Sequence, residues 1–162
     1  MKNKNEMKEI YVIVNDVRSN FNVGSIFRTA ECAGVKKIFL AGITPAPQDR
    51  FGRENKELKK VALGADKIIL WEKVSSVSRL VSSLKEEGFQ IVSLEQFSDS
   101  IDYKKFKSKS KLALIVGNEV KGLPEKILKI SDAVIEIPMR GEKESLNVSV
   151  AFGIAVFKLI EN

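Results

Sequence analysis

Six short runs of apolar, largely β-branched residues recur along the chain with helix-like segments between them, and this alternation restricts the fold more than any other feature. The runs are IYVIV from Ile10, KIFLA from Lys37, KIILW from Lys67, QIVSL from Gln90, LALIVG from Leu112 and AVIEI from Ala133. Helices are expected from Val23, Glu54, Val74, Pro124 and Asn147, with Gly34 and Gly88 standing where a helix should stop. The predicted class is α/β, a mainly parallel sheet with helices on both faces. With 162 residues, no internal repeat and no long Pro/Gly/Ser linker, the sequence reads as one domain over 1–162, of which 1–9 is a flexible leader.

The hydrophobic content of 44% and charged content of 30% are those of a soluble globular protein, and the formal charge of +6 tilts the choice of partner toward polyanions. A single cysteine, Cys32, excludes an internal disulfide framework and a thiolate cluster for zinc, and no metal site is expected. The apolar run behind the basic amino terminus is too short for a signal peptide core or a bilayer span, so a cytoplasmic protein is expected. There is no histidine. Hydrolase mechanisms built on serine–histidine or cysteine–histidine pairs are thereby excluded, and any chemistry falls to Arg, Lys, Asp, Glu, Ser, Asn or the backbone.

The last helix, VSVAFGIAVFKLI from Val148 to Ile160, is apolar on almost every side. Such a helix must be buried on more than one face. At the end of a small domain a partner subunit is the simplest second cover, which favours a homodimer over a helix sunk in its own core.

Ligands of open α/β sheets bind outside the carboxyl ends of the strands. Three polar, glycine-bearing segments follow strands directly: NDVRSNFNVGSIFR from Asn15 to Arg28, GNEVKGLP from Gly117 to Pro124, and PMRGEKESLN from Pro138 to Asn147. If their strands are neighbours, the three segments form one pocket. In the first, Asn22 reads as a helix cap, while Ile26, Phe27, Ala30 and Ala33 form an apolar stripe that leaves Arg28 pointing off the core. Its guanidinium is a planar fork suited to phosphate or ribose oxygens. The second segment is neither a P-loop nor a dinucleotide fingerprint, and Glu119 at its centre suits a neutral or cationic ligand. In the third, Ser145 and Asn147 flank Leu146 where the last helix begins, and both are ordinary capping residues.

In order and spacing, NVGSIFRTAECAG, LALIVGNEVKGL and IEIPMRGEKESLNVSVAFGIAVF closely resemble the three signature motifs of the SpoU (TrmH) family of SPOUT RNA methyltransferases. The similarity covers most of Val12 to Leu159. It implies transfer of a methyl group from S-adenosylmethionine to a ribose 2′-hydroxyl of tRNA or rRNA, a homodimer, and a carboxyl-terminal trefoil knot that general topology rules would have argued against. By position, the family's catalytic residues fall on Asn22, Arg28, Glu119, Ser145 and Asn147. The cofactor would lie against Gly117, Asn118, Glu119, Gly122, Ile137, Met139 and Leu146, largely through backbone groups. Val120 stands where many members carry a second glycine.

The family role proposed for the arginine is general base. A guanidinium with a pKa above about 12 is better suited to stabilising the developing alkoxide beside a phosphate that accepts the proton. Asn22, Ser145 and Asn147 would orient the ribose and Arg28, and Glu119 would fix the loop or the arginine. Arg18, Arg50, Arg53, Lys56, Lys59, Lys60 and Arg140 are the candidates for RNA contact, whereas YKKFKSKSK from Tyr103 reads as a solvated, mobile link. Two rivals stand beside this reading: a non-catalytic RNA-binding or ribosome-assembly protein on the same fold, and, more weakly, a Rossmann-type oxidoreductase.

Overall fold

The computed structural model describes residues 7–161. Seven strands, β1 (Glu9–Asn15), β2 (Lys37–Ala41), β3 (Leu70–Val74), β4 (Gln90–Leu94), β5 (Ile101–Asp102), β6 (Lys111–Val116) and β7 (Ala133–Glu136), form one sheet. Its order is β3-β2-β1-β6-β4-β7-β5 and every pairing is parallel. The helices are α1 (Asn20–Cys32), α2 (Lys56–Ala62), α3 (Ala65–Ile68), α4 (Val77–Glu86), α5 (Glu125–Ile130) and α6 (Val148–Glu161).

Alternation along the central strands splits the core in two. Val12, Val14, Leu112, Leu114 and Leu40 face α1, α2, α3 and α6, while Ile13, Ala113, Ile115 and Phe39 face α4 and α5. Because successive strand side chains point to opposite faces, a strand covered on both sides must be apolar throughout. That is why the runs were legible in the sequence.

Three expectations need correction. Lys67 and Ile68 belong to the short helix α3, so the third strand begins only at Leu70; Gly64, left-handed at φ +87°, and α3 turn the chain before it. Of the leader expected at 1–9, residues 1–6 lie outside the described residues, Glu9 opens β1, and Lys8 donates to Ser108 Oγ and to the Leu159 carbonyl. The basic run from Tyr103 is not a mobile link either. Phe106 is buried in the core, Ser108 Oγ donates to the Leu159 carbonyl at 3.1 Å, and the Lys109 amide donates to Gln90 Oε1 at 2.9 Å.

Helix α6 has the two apolar faces that its sequence implies. Phe152, Ala155, Val156 and Leu159 are buried, while Val150, Ile154 and Phe157 remain 50%, 37% and 43% exposed. Among the described residues no helix is long and apolar enough to cross a membrane.

Candidate active site

Strands β1 and β6 are adjacent, and β4 separates β6 from β7. Their carboxyl ends therefore bring the second and third polar segments to a common edge. The loop after β6 is shaped by Asn118: its Oδ1 accepts from the Val120 and Lys121 amides, both at 2.9 Å, and its Nδ2 donates to the Asp16 carbonyl at 2.7 Å. Gly122 turns the loop at φ +66°, and the next amide, that of Leu123, donates to Glu95 Oε2 at 2.9 Å. Gln96 then secures the segment after β7, its Nε2 donating to the Glu144 carbonyl at 2.6 Å.

Between these segments lies a cleft of about 750 Å³, counting its solvent-open mouth. Gly117, Asn118, Glu119, Gly122, Ile137, Met139, Ser145 and Leu146 all line it, with Glu95 and Glu136 adding two further carboxylates. Among the described residues, no lysine or arginine lines it. Val120 also stands at its wall but is 92% exposed, so its side chain projects to solvent and leaves the loop's hydrogen bonds intact.

A continuous polar chain stands behind the cleft. Glu119 Oε1 accepts from the Ser19 amide at 3.1 Å and from Asn22 Nδ2 at 3.3 Å, and Oε2 accepts from the Arg18 amide at 3.2 Å. Asn22 Oδ1 in turn accepts from Asn147 Nδ2 at 3.0 Å. Asn147 Oδ1 accepts from the Ser149 amide at 2.9 Å and its hydroxyl at 2.6 Å, capping α6. Backbone amides only donate and the carboxylate only accepts, so each asparagine can be oriented in one way alone. The chain ties the β6 loop, α1 and α6 together. Burial pushes the Glu119 carboxyl up, but its own amide, the Ser19 and Arg18 amides and the Asn22 side chain outweigh that effect and hold it below the ordinary glutamate range.

Asn22 is therefore not the cap that its sequence suggested. Ser19 caps α1, its Oγ accepting from the Asn22 amide at 3.2 Å, so the helix starts at Asn20 and the buried Asn22 lies in its first turn. Asn147 does cap α6 while also reaching Asn22. The hydrogen bonds of both asparagines tie the β6 loop, α1 and α6 to one another.

Arg28 is the residue that the single chain does not bring to the cleft. It lines a separate concavity of about 1620 Å³, counting open solvent, with Asn20, Phe21, Glu57, Lys60, Leu63 and Phe157 among its neighbours. The expected single pocket of three segments is thus two sites: one cleft from the second and third segments, and one exposed arginine on α1 beside the apolar face of α6.

Among the RNA candidates, Arg18, Arg50, Arg53, Lys56, Lys60 and Arg140 are exposed. Lys59 is not free, since Nζ pairs with Glu54 at 2.6 Å and Asp66 at 3.8 Å. The sequence reading missed Asp16, Ser19, Glu95 and Gln96. Asp16 adopts φ 54°, a left-handed conformation that aspartate tolerates better than most residues, and its Oδ1 accepts from the Ile43 amide at 3.0 Å. It joins the β6 loop to the chain leaving β2. An aspartate after a first strand carries no signal of that role.

The family model that matches this arrangement, described as the SpoU rRNA Methylase family, covers residues 9–157. This chain belongs to the SpoU rRNA methylase family. It is 30% identical over 151 residues to the tRNA (guanosine(18)-2′-O)-methyltransferase of Aquifex aeolicus, covering 93% of this chain and 68% of that protein. It is 34% identical over 149 residues to the 23S rRNA (guanosine-2′-O-)-methyltransferase RlmB of Escherichia coli, covering 92% of this chain and 58% of that enzyme. Among solved structures, the AdoMet-bound rRNA methyltransferase from Sinorhizobium meliloti superposes with a TM-score of 0.83 at 30% identity, covering 93% of this chain and 55% of that one. This SpoU chain thus spans a little over half the length of two of these three relatives.

Proposed function

We propose that this chain is an S-adenosylmethionine-dependent RNA methyltransferase acting on a ribose 2′-hydroxyl of tRNA or rRNA, and that it works as a cytoplasmic homodimer. The cleft carries the proposal. Its lining of backbone groups, apolar side chains and three carboxylates, with no cation among the described residues, fits a sulfonium nucleoside and would repel a phosphate. Gly117, Asn118, Gly122, Ile137, Met139 and Leu146 would hold the cofactor, which supplies an electrophilic methyl group. Glu119, Asn22 and Asn147 fix the loop and the starts of α1 and α6 around it, and Ser145, which lines the cleft, would meet the ribose.

Arg28 joins this site through a second copy. It stands beside Phe21, Leu63 and Phe157, an exposed apolar surface continuous with Val150 and Ile154 on α6. Covering that surface with the same surface of a second chain buries the free face of α6 and carries Arg28 toward the other cleft. There the guanidinium would hold the ribose hydroxyl and stabilise its developing negative charge, the proton passing to a phosphate oxygen. The family resemblance further implies that the carboxyl-terminal segment is threaded into a knot.

Calorimetry with S-adenosylmethionine, followed by incubation with labelled cofactor and total RNA from a strain lacking the protein, tests the reading. Binding and a labelled ribose are expected; absence of both would favour a non-catalytic RNA-binding protein. Gly122→Ala is a sharper probe of the cleft. The added Cβ would press on Glu95 Oε2, the acceptor of the Leu123 amide, at a left-handed φ of +66° that favours glycine. A strain of about 1–3 kcal/mol in the loop should weaken cofactor binding by about tenfold or more.

A further inference from the structure

The loop from β2 to α2 holds an aromatic ring out to solvent. Phe51 is 68% exposed, and the guanidinium carbons of Arg50 and Arg53 stand 4.7 and 5.2 Å from its ring centre. The ring sits on a closed scaffold. Asp49 Oδ1 accepts from the Phe51 amide at 2.8 Å and the Arg53 amide at 3.0 Å, and Oδ2 accepts from Arg53 Nε at 2.6 Å. The Asp49 amide donates to the Arg53 carbonyl at 3.0 Å, and Gln48 pairs antiparallel with Glu54.

Both ends of this loop are tied to the active-site edge. At its start the Ile43 amide donates to Asp16, whose carbonyl receives Asn118 of the cleft loop. At its end Asn55 Nδ2 donates to Asn20 Oδ1 at 2.7 Å, at the start of α1. The ring is therefore held at a set position relative to the cleft loop and to α1.

A flat apolar ring with two guanidiniums against it fits one kind of partner. An apolar protein surface would have to desolvate Arg50, which has no ion-pair partner among the described residues, and the outer nitrogens of the Arg53 fork that Asp49 does not meet. A nucleic acid strand offers a π-face for the ring and phosphates for the forks. The face of a base is available only where it is unpaired, because duplex stacking occupies it.

Resting on the RNA reading above, we infer that Phe51, with Arg50 and Arg53, is a stacking platform for an unpaired nucleobase of the RNA substrate, the guanidiniums engaging the flanking phosphates. Binding of the full chain to a single-stranded RNA of about 12 nucleotides and to a duplex of the same length is the test, read by fluorescence anisotropy. Phe51→Ala should weaken single-strand binding by about ten- to a hundredfold, with cofactor affinity and Tm unchanged. Phe51→Trp should restore it, with a fluorescence quench on binding beyond that of wild type, whose one tryptophan, Trp71, lies on β3. Phe51→Leu should stay weak. Wild-type affinity in Phe51→Ala, or full recovery in Phe51→Leu as expected of an apolar protein contact, would overturn the inference. So would equal losses on single strand and duplex. Single-strand binding that follows this series in a chain unable to bind the cofactor would instead sink the methyltransferase reading and leave the platform standing.

Discussion

Arg28→Ala is expected to bind S-adenosylmethionine as wild type does and to transfer methyl groups about 10²–10³-fold more slowly, the loss typical of removing one donor that faces a developing oxyanion. The separation of the two effects follows from the geometry, since Arg28 lines none of the cleft in its own chain. It also lies off the buried stripe of α1, where Ile26, Phe27 and Ala30 are fully covered, so Tm should not change. Arg28→Lys keeps the charge without the planar fork and should recover only part of the rate. Co-expressing Arg28→Ala with Gly122→Ala separates the two places where the arginine can act. If it serves the other copy's cleft, the mixed dimer pairs an intact cleft on one chain with an intact arginine on the other and regains activity. If it serves its own, every cleft in the mixture is defective and none returns. An Arg28→Ala protein with wild-type turnover would remove the residue from the mechanism altogether.

What the sequence made legible follows physical lines. A strand buried on both faces must be apolar at every position, so β1, β2, β4, β6 and β7 stood out from Ile10, Lys37, Gln90, Leu112 and Ala133. The two-residue β5 is too short to carry such a pattern, and α3 hid inside an apolar run because a short buried helix and a strand look alike without periodicity. The same limit applies to the site. Asn22 was recognisable as a polar residue at a helix start, but the choice between Ser19 and Asn22 as cap depended on Glu119, 97 residues away, drawing the Asn22 side chain inward. Arg28 was readable as pointing off the core, because that is a property of one helix. Its separation from the cleft was not, because that depends on how α1 sits relative to loops from β6 and β7. Lys59 illustrates the complementary error: a cation in a basic stretch looks free until the fold supplies Glu54 and Asp66.

Glu119→Gln, nearly isosteric, should cost about 0.5–1.5 kcal/mol of stability, lower Tm by a few degrees and weaken cofactor binding. The reason lies in the donors. The Ser19 amide and Asn22 Nδ2 meet one carboxylate oxygen and the Arg18 amide meets the other, so all three partners can only donate. A glutamine amide must present its own NH₂ to one of these sites. If it faces the Arg18 amide, an exposed donor is left to water; if it faces Ser19 and Asn22, the side-chain amide of the buried Asn22 loses its acceptor, and the link through Asn22 to Asn147 opens as well. The effect on cofactor binding arises because the same carboxylate holds the start of α1 against the cleft loop. Acid provides an independent check. Glu119 is held below the ordinary glutamate range in the folded chain, so its ionised form stabilises the fold fully above the unfolded value, and that contribution is lost as pH falls through the folded value. Plots of Tm against pH should therefore lie apart for wild type and Glu119→Gln near neutrality and converge in acid. Parallel curves throughout would mean that the carboxylate's charge contributes nothing, and that a neutral acceptor could hold α1 to the cleft equally well.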